Sequence, residues 1–261
     1  TERPDRAAQA ILEGRVVLLT DNSPEALIFP ATLNSLFQTA DDYYRNERIV
    51  TFLRLIRYVA AFLALALPGL YVAAATFHPQ LLPGNLIRSM AEARSGVPFP
   101  TAAEVLLMEL SFELLREAGL RMPGPAGNTI GIVGGLIVGQ AAVSANLVSP
   151  ITVTVAALTA LGSFSMPNEE LSEVFRLWKY GILLLGSCFG ILGVMLGCFL
   201  LLMLMAEQES YGIPWLYPYV GGNLNERADE KDSMFLAAAR KRKRRPIFAK
   251  WGNRIRFRRK S

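Results

Sequence analysis

GVPFPTAAEVLLMELSFELLREAGLRMPGPAGNTIGIVGGLIVG, residues 96–139, sets a helix-forming run with four glutamates directly before an apolar helix punctuated by glycines. At 100° per residue Glu109, Glu113 and Glu117 fall within about an 80° arc, and Glu104 sits near the opposite side. Three carboxylates share one face. Three placements answer that pattern. The helix can lie at a membrane surface, its acids in water and Leu107, Met108, Leu110 and Leu114 in the acyl region. It can face a water-filled cavity, where ionisable groups at membrane depth mark an ion path. Or its acids can take salt bridges from Arg116 and Arg121.

Outward from that stretch, apolar residues make up 52% of the 261 and gather into long runs. The longest, Tyr180 to Ala206, has 27 residues without a charge, against roughly 20 needed to cross a bilayer. The expected fold is an α-helical integral membrane protein with about four transmembrane helices plus the amphipathic acidic helix, preceded by the end of a small α/β soluble domain. The divisions predicted are residues 1–50 for that soluble end, 51–212 for the membrane domain and 213–261 for a basic cytoplasmic tail. The first residue is Thr and no signal-peptide pattern precedes the first run, so the chain reads as beginning inside a longer protein.

Along the soluble end, residues 2–13 predict a helix. Residues 15–20 and 26–30 predict two strands joined through DNSP, a turn-rich sequence. Asp41 and Asp42 read as a helix N-terminus, where acids meet unsatisfied N–H groups. Arg45, Arg48, Arg54 and Arg57 lead into the first span, about Phe52 to Phe77, and mark its cytoplasmic end. Pro68 predicts a kink in it. His78, the sole histidine, stands alone, and a metal site needs three or four ligands.

A connector with a short helix over 85–94 leads to the acidic helix. Apolar elements follow over 129–146 and 151–166, short enough to cross or to form a re-entrant pair. Gly131, Gly135 and Gly139 repeat every four residues, the spacing that lets membrane helices approach closely. Gln140 adds a polar group at that depth, serving interhelical hydrogen bonds or a pore lining. The last span is expected to run unbroken from Tyr180 to Ala206, with Gly186, Gly190, Gly193 and Gly197 as one seam for a neighbouring helix. Cys188 and Cys198, ten helical residues apart, lie about 15 Å from each other, beyond disulfide reach.

Net charge is +5, yet twelve Lys or Arg and no acid fall between Arg240 and Ser261. For the run Lys241, Arg242, Lys243, Arg244 and Arg245 the simplest partner is anionic lipid, at about 1 kcal/mol per basic residue; nucleic acid is not expected. No nucleophile–base pair, phosphate-cradling loop or metal-ligand spacing is present. Neither catalysis, nor a cofactor, nor a metal is expected.

Several long motifs occur in register: ERPD at 2–5, FLRLIRYVAAFLALALPGLYVAAATFHPQLLP at 52–83, VPFPTAAEVLLMELSFELLREAGLRMPGPAG at 97–127, VGQAAVSANLVSP at 138–150 and GIPWLYP at 212–218. In these the chain resembles the A-subunit family of spore germinant receptors, the GerA spore germination protein family, over roughly residues 2–220. The stage V sporulation AF-type paralogue shares the pattern. The resemblance implies a larger soluble region ahead of this stretch, a multi-pass subunit in the spore inner membrane, homo-oligomers, and companion B- and C-type subunits. It also implies cation release, with the A subunit as channel former. Glu109, Glu113, Glu117 and Gln140 are the residues expected along an ion path. The rival expectation is a non-conducting scaffold or assembly subunit of the same complex.

Overall fold

The computed structural model describes residues 1–120, 125–220, 232–237 and 247–249. It is mostly helical, with a small sheet region, and falls into two compact units. One comprises residues 1–59, 167–169 and 201–261, the other residues 60–166 and 170–200.

In the first unit, α1 (Pro4–Glu13) precedes an antiparallel hairpin of β1 (Val16–Leu19) and β2 (Ala26–Phe29), in the register Val16↔Phe29 to Leu19↔Ala26. Next come α2 (Leu33–Phe37) and a 3₁₀ turn, Ala40–Tyr43, with Asp41 and Asp42 in its first turn as expected. The Thr39 N–H donates to the Asp42 carboxylate and closes a capping box. Here α3 (Glu47–Thr76) begins. Its Arg54, only 1% exposed, bridges Asp42 and Asp232 and donates to the Ser233 carbonyl. Arg57 also grips Asp42, at 2.8 Å. Two of the arginines expected to mark the end of the first span are thus held by carboxylates. A second hairpin, β3 (Glu209–Ser210) with β4 (Ile213–Pro214), joins the same unit, where the Trp215 carbonyl accepts from the Leu33 N–H. Residues 232–237 dock there too: Asn34 and Gln38 donate to the Asp232 carbonyl, and the Leu236 N–H donates to Thr51.

The second unit is a helix bundle. It takes the rest of α3, then α4 (Gly84–Arg94), α5 (Thr101–Leu120), α6 (Pro125–Ser144), α7 (Pro150–Phe164), α8 (Glu169–Phe189) and α9 (Ile191–Glu207) up to Leu200. Val72, Val105 and Leu183 bring α3, α5 and α8 into one apolar cluster; Met108, Val148 and Ala156 form a second between α5 and α7. Small residues set the close crossings. A Cβ added to Gly162 would stand 2.6 Å from the Ala60 carbonyl oxygen, and one on Gly186 would stand 3.0 Å from that of Gly69. Helix α3 continues through Pro68.

Among the described residues α3 is the one helix long and apolar enough to cross a membrane by length and composition; α7 and α9 are shorter apolar helices. The continuous last span expected from sequence is not what forms. Gly190 adopts φ +64°, a left-handed conformation open to glycine, and ends α8. The chain then doubles back. A Cβ at Gly193 would overlap the Leu185 carbonyl, and one at Gly197 would stand 2.9 Å from Ile182. Two of the four seam glycines, Gly193 and Gly197, therefore meet only their own hairpin, whereas Gly186 meets both Val194 of the hairpin and Gly69 of α3. On α6, Gly135 faces Phe112 of α5 and Gly139 faces Val153 of α7. The surroundings of Gly131 lie outside the described residues, as do Lys241, Arg242, Lys243, Arg244 and Arg245.

Candidate functional site

The acidic face of α5 meets a basic face of α8. Glu109, 2% exposed, accepts from Lys179 Nζ at 2.6 Å, and Lys179 is itself buried. One turn along, Arg176 donates to Glu113. Acids four residues apart on one helix and bases three apart on its antiparallel neighbour produce a two-step charge ladder. Each pair joins residues more than sixty positions apart. That separation explains why the sequence reading, which considered Arg116 and Arg121 as partners, missed it. Arg116 donates to Ser163 and stands over the Phe164 ring at 4.5 Å, and Arg121 is outside the described residues. In the sequence, Arg176 and Lys179 look only like an interface marker. The available signal was their own spacing on an amphipathic helix, which places both on one stripe.

The ladder is costly to break. Removing one partner of a buried pair leaves an uncompensated charge, worth about 3–5 kcal/mol. One oxygen of Glu109, Oε1, is buried without a hydrogen-bond partner, although the other holds Lys179. The Lys179 ammonium also lies 4.9 Å from the centroid of the Tyr180 ring. Of the other two expected path residues, Glu117 is exposed near the end of α5, and Gln140 is exposed on α6.

Glu104 has a different task, which the sequence reading left unassigned. It is fully buried and accepts from Arg94 Nε at 3.1 Å, from the Ser149 N–H at 2.9 Å and from the Thr152 hydroxyl at 3.1 Å. Ser149 is the N-cap of α7 and Pro150 its first residue. The carboxylate therefore sits on the unsatisfied, electropositive end of that helix. Ser149–Pro150 is legible as a helix start; which acid would serve it is not. Among the described residues no group of three or more His, Cys, Asp or Glu could hold a metal ion.

With this geometry established, comparison with known proteins is informative. The model of the Bacillus/Clostridium GerA spore germination protein family matches residues 1–248. The chain belongs to the GerA spore germination protein family. This GerA-family chain is 42% identical over 238 residues to a Bacillus subtilis protein named "uncharacterized membrane protein YfkQ", covering 91% of the chain and 46% of that relative. It is 42% identical over 218 residues to spore germination protein GerLA of Bacillus cereus, covering 84% of the chain and 44% of the relative. To spore germination protein GerQA of Bacillus cereus it is 38% identical over 257 residues, covering 98% and 51%. The GerA-family chain thus spans about half the length of the curated relatives it matches. No solved structure matches it.

Proposed function

We propose that this GerA-family chain is the membrane part of an A-type germinant receptor subunit, which assembles with its own copies and with B- and C-type subunits in the spore inner membrane and forms a cation path there. The observation that carries this reading is the charge ladder among apolar helices, with the Glu109–Lys179 pair buried and the Glu113–Arg176 pair half-buried beside it. Ionisable groups at such depth are expensive and default to an ion-path role. With these bases withdrawn, copies of α5 around an axis would present Glu109 and Glu113 as acidic rings that concentrate cations, with Glu117 and Gln140 along the same path. The relatives named as spore germination proteins agree with a place in germination. The basic run at 241–245 would hold anionic headgroups on the cytoplasmic side.

A second reading has its own support. Both acids find their bases within the chain, as they would in a scaffold whose pairs only bind helices together. Potassium efflux from liposomes carrying the full-length protein with its B- and C-type partners separates the two. The variant Glu109→Gln/Lys179→Gln removes both charges together and avoids orphaning either. The channel reading expects lower flux at unchanged oligomer mass; unchanged flux at that mass refutes it in favour of the scaffold.

A further inference from the structure

We propose that Lys179 is a tethered cation that occupies, on Glu109, the position a diffusible monovalent cation takes when the ammonium withdraws. The inference rests on the ion-path reading of α5 and supplies its closing device. Its basis is the asymmetry of one carboxylate. Glu109 Oε2 holds the ammonium at 2.6 Å, whereas Oε1, equally enclosed, makes no hydrogen bond of ordinary geometry; the Thr159 hydroxyl, which donates to the Val155 carbonyl, also faces the carboxylate. A buried carboxylate with an open oxygen retains acceptor capacity that its present partner does not use.

The chemistry of the pair selects the competitor. One carboxylate balances one positive charge, so exchanging an ammonium for a monovalent ion leaves the local charge unchanged. A divalent ion would ask for several oxygen ligands, commonly more than one carboxylate, and no cluster of three acids, histidines or cysteines exists among the described residues. Lysine also suits the task better than arginine. Its ammonium is a point charge on a flexible four-carbon stem, so rotation about side-chain bonds can remove it from Glu109 without moving α8. The Tyr180 ring lies 4.9 Å from Nζ while the ammonium is still on Glu109, so it is part of the paired state. Meanwhile Arg176 keeps Glu113, and the Gly186–Gly69 contact keeps α8 against α3. The helix can stay docked while the site changes occupant.

Two measurements on the full-length protein test this. The first is the melting temperature in detergent, in potassium chloride against N-methyl-D-glucamine chloride at equal ionic strength. Lys179→Met is expected to melt several degrees higher in potassium, because an ion that binds the folded state alone stabilises it. Wild type and Glu109→Gln/Lys179→Met are expected to show no preference. The second is potassium leak from liposomes. Lys179→Met should leak about tenfold or more above wild type, as a rarely populated competent state becomes the main one. Lys179→Arg, which keeps a cation on Glu109, and the double variant, which has no carboxylate to hold one, should not show that rise. Absence of a potassium preference in Lys179→Met overturns the proposal, with or without a leak. A preference without leak upholds the cation site and removes the ion-path reading instead. Should the methionine variant fail to assemble, Lys179→Gln, which can hydrogen-bond Glu109, takes its place and the same comparison decides.

Discussion

Replacing Glu104 by glutamine should destabilise the helix bundle by about 2–3 kcal/mol while leaving its shape unchanged. The wild-type carboxylate accepts three hydrogen bonds, two from the start of α7 and one from Arg94. Glutamine is nearly isosteric and keeps one acceptor oxygen, which can serve Ser149 and Thr152. Its amide nitrogen then faces the Arg94 guanidinium, donor against donor. A hydrogen bond to a charged group is worth about 1.5–3 kcal/mol, and losing the negative charge at a helix N-terminus adds about 0.3–1 kcal/mol. Arg94 keeps a quarter of its side chain in solvent, so water recovers part of its loss and the sum falls toward the lower half. Reversible denaturant unfolding of the purified protein in micelles measures it. Arg94→Met in a double-mutant cycle should show a coupling of about 1 kcal/mol or more with Glu104→Gln. A loss below about 0.5 kcal/mol, the range of unengaged surface positions, would refute the reasoning.

Gly193→Ala should cost about 2–3 kcal/mol or more and lower the yield of folded protein, because the new methyl meets the Leu185 backbone, which cannot rotate away. Gly181→Ala, with nothing within 4 Å, should be neutral or stabilising by up to about 1 kcal/mol; equal losses at both sites would discard the hairpin. In the other unit, burial alone would raise the Asp42 carboxyl, but Arg57, the Thr39 N–H and Arg54 outweigh it and hold it below its ordinary value. A carboxyl depressed in the folded state contributes stability above its unfolded pKa and loses it as pH falls through the folded one. Melting temperatures from pH 7 downward should therefore show a shallower acid limb in Asp42→Asn than in wild type; parallel limbs would contradict the pairing.

Much of the local structure was readable from sequence because its causes are local. The DNSP turn between two β-rich runs became the hairpin, and Ser149–Pro150 became the start of α7. Other features were out of reach because they depend on what comes to lie opposite. Twenty-seven uncharged residues satisfy every length rule for one span, and no count of apolar residues shows that Gly190 takes a left-handed turn there. That turn is made possible by the glycines on either side, which allow α9 to lie on α8 at backbone distance. Arginines at 54 and 57 carry the same charge in any reading; both are gripped by the nearby Asp42, and the second carboxylate that buries Arg54, Asp232, comes from a segment nearly 180 residues away.

By itself the sequence determined membership of a spore germination family, through long motifs in register, and the presence of an acidic helix face, through the 3.6-residue period. It also determined that apolar helices dominate, since composition and run length alone decide that. Only the tertiary structure decided what each carboxylate does. Glu109 and Glu113 took bases from α8 and Glu104 took the N-terminus of α7. Periodicity states which residues share a face; the partner of a buried charge is decided by which helix packs there, because a charge withdrawn from water must find its compensation through space.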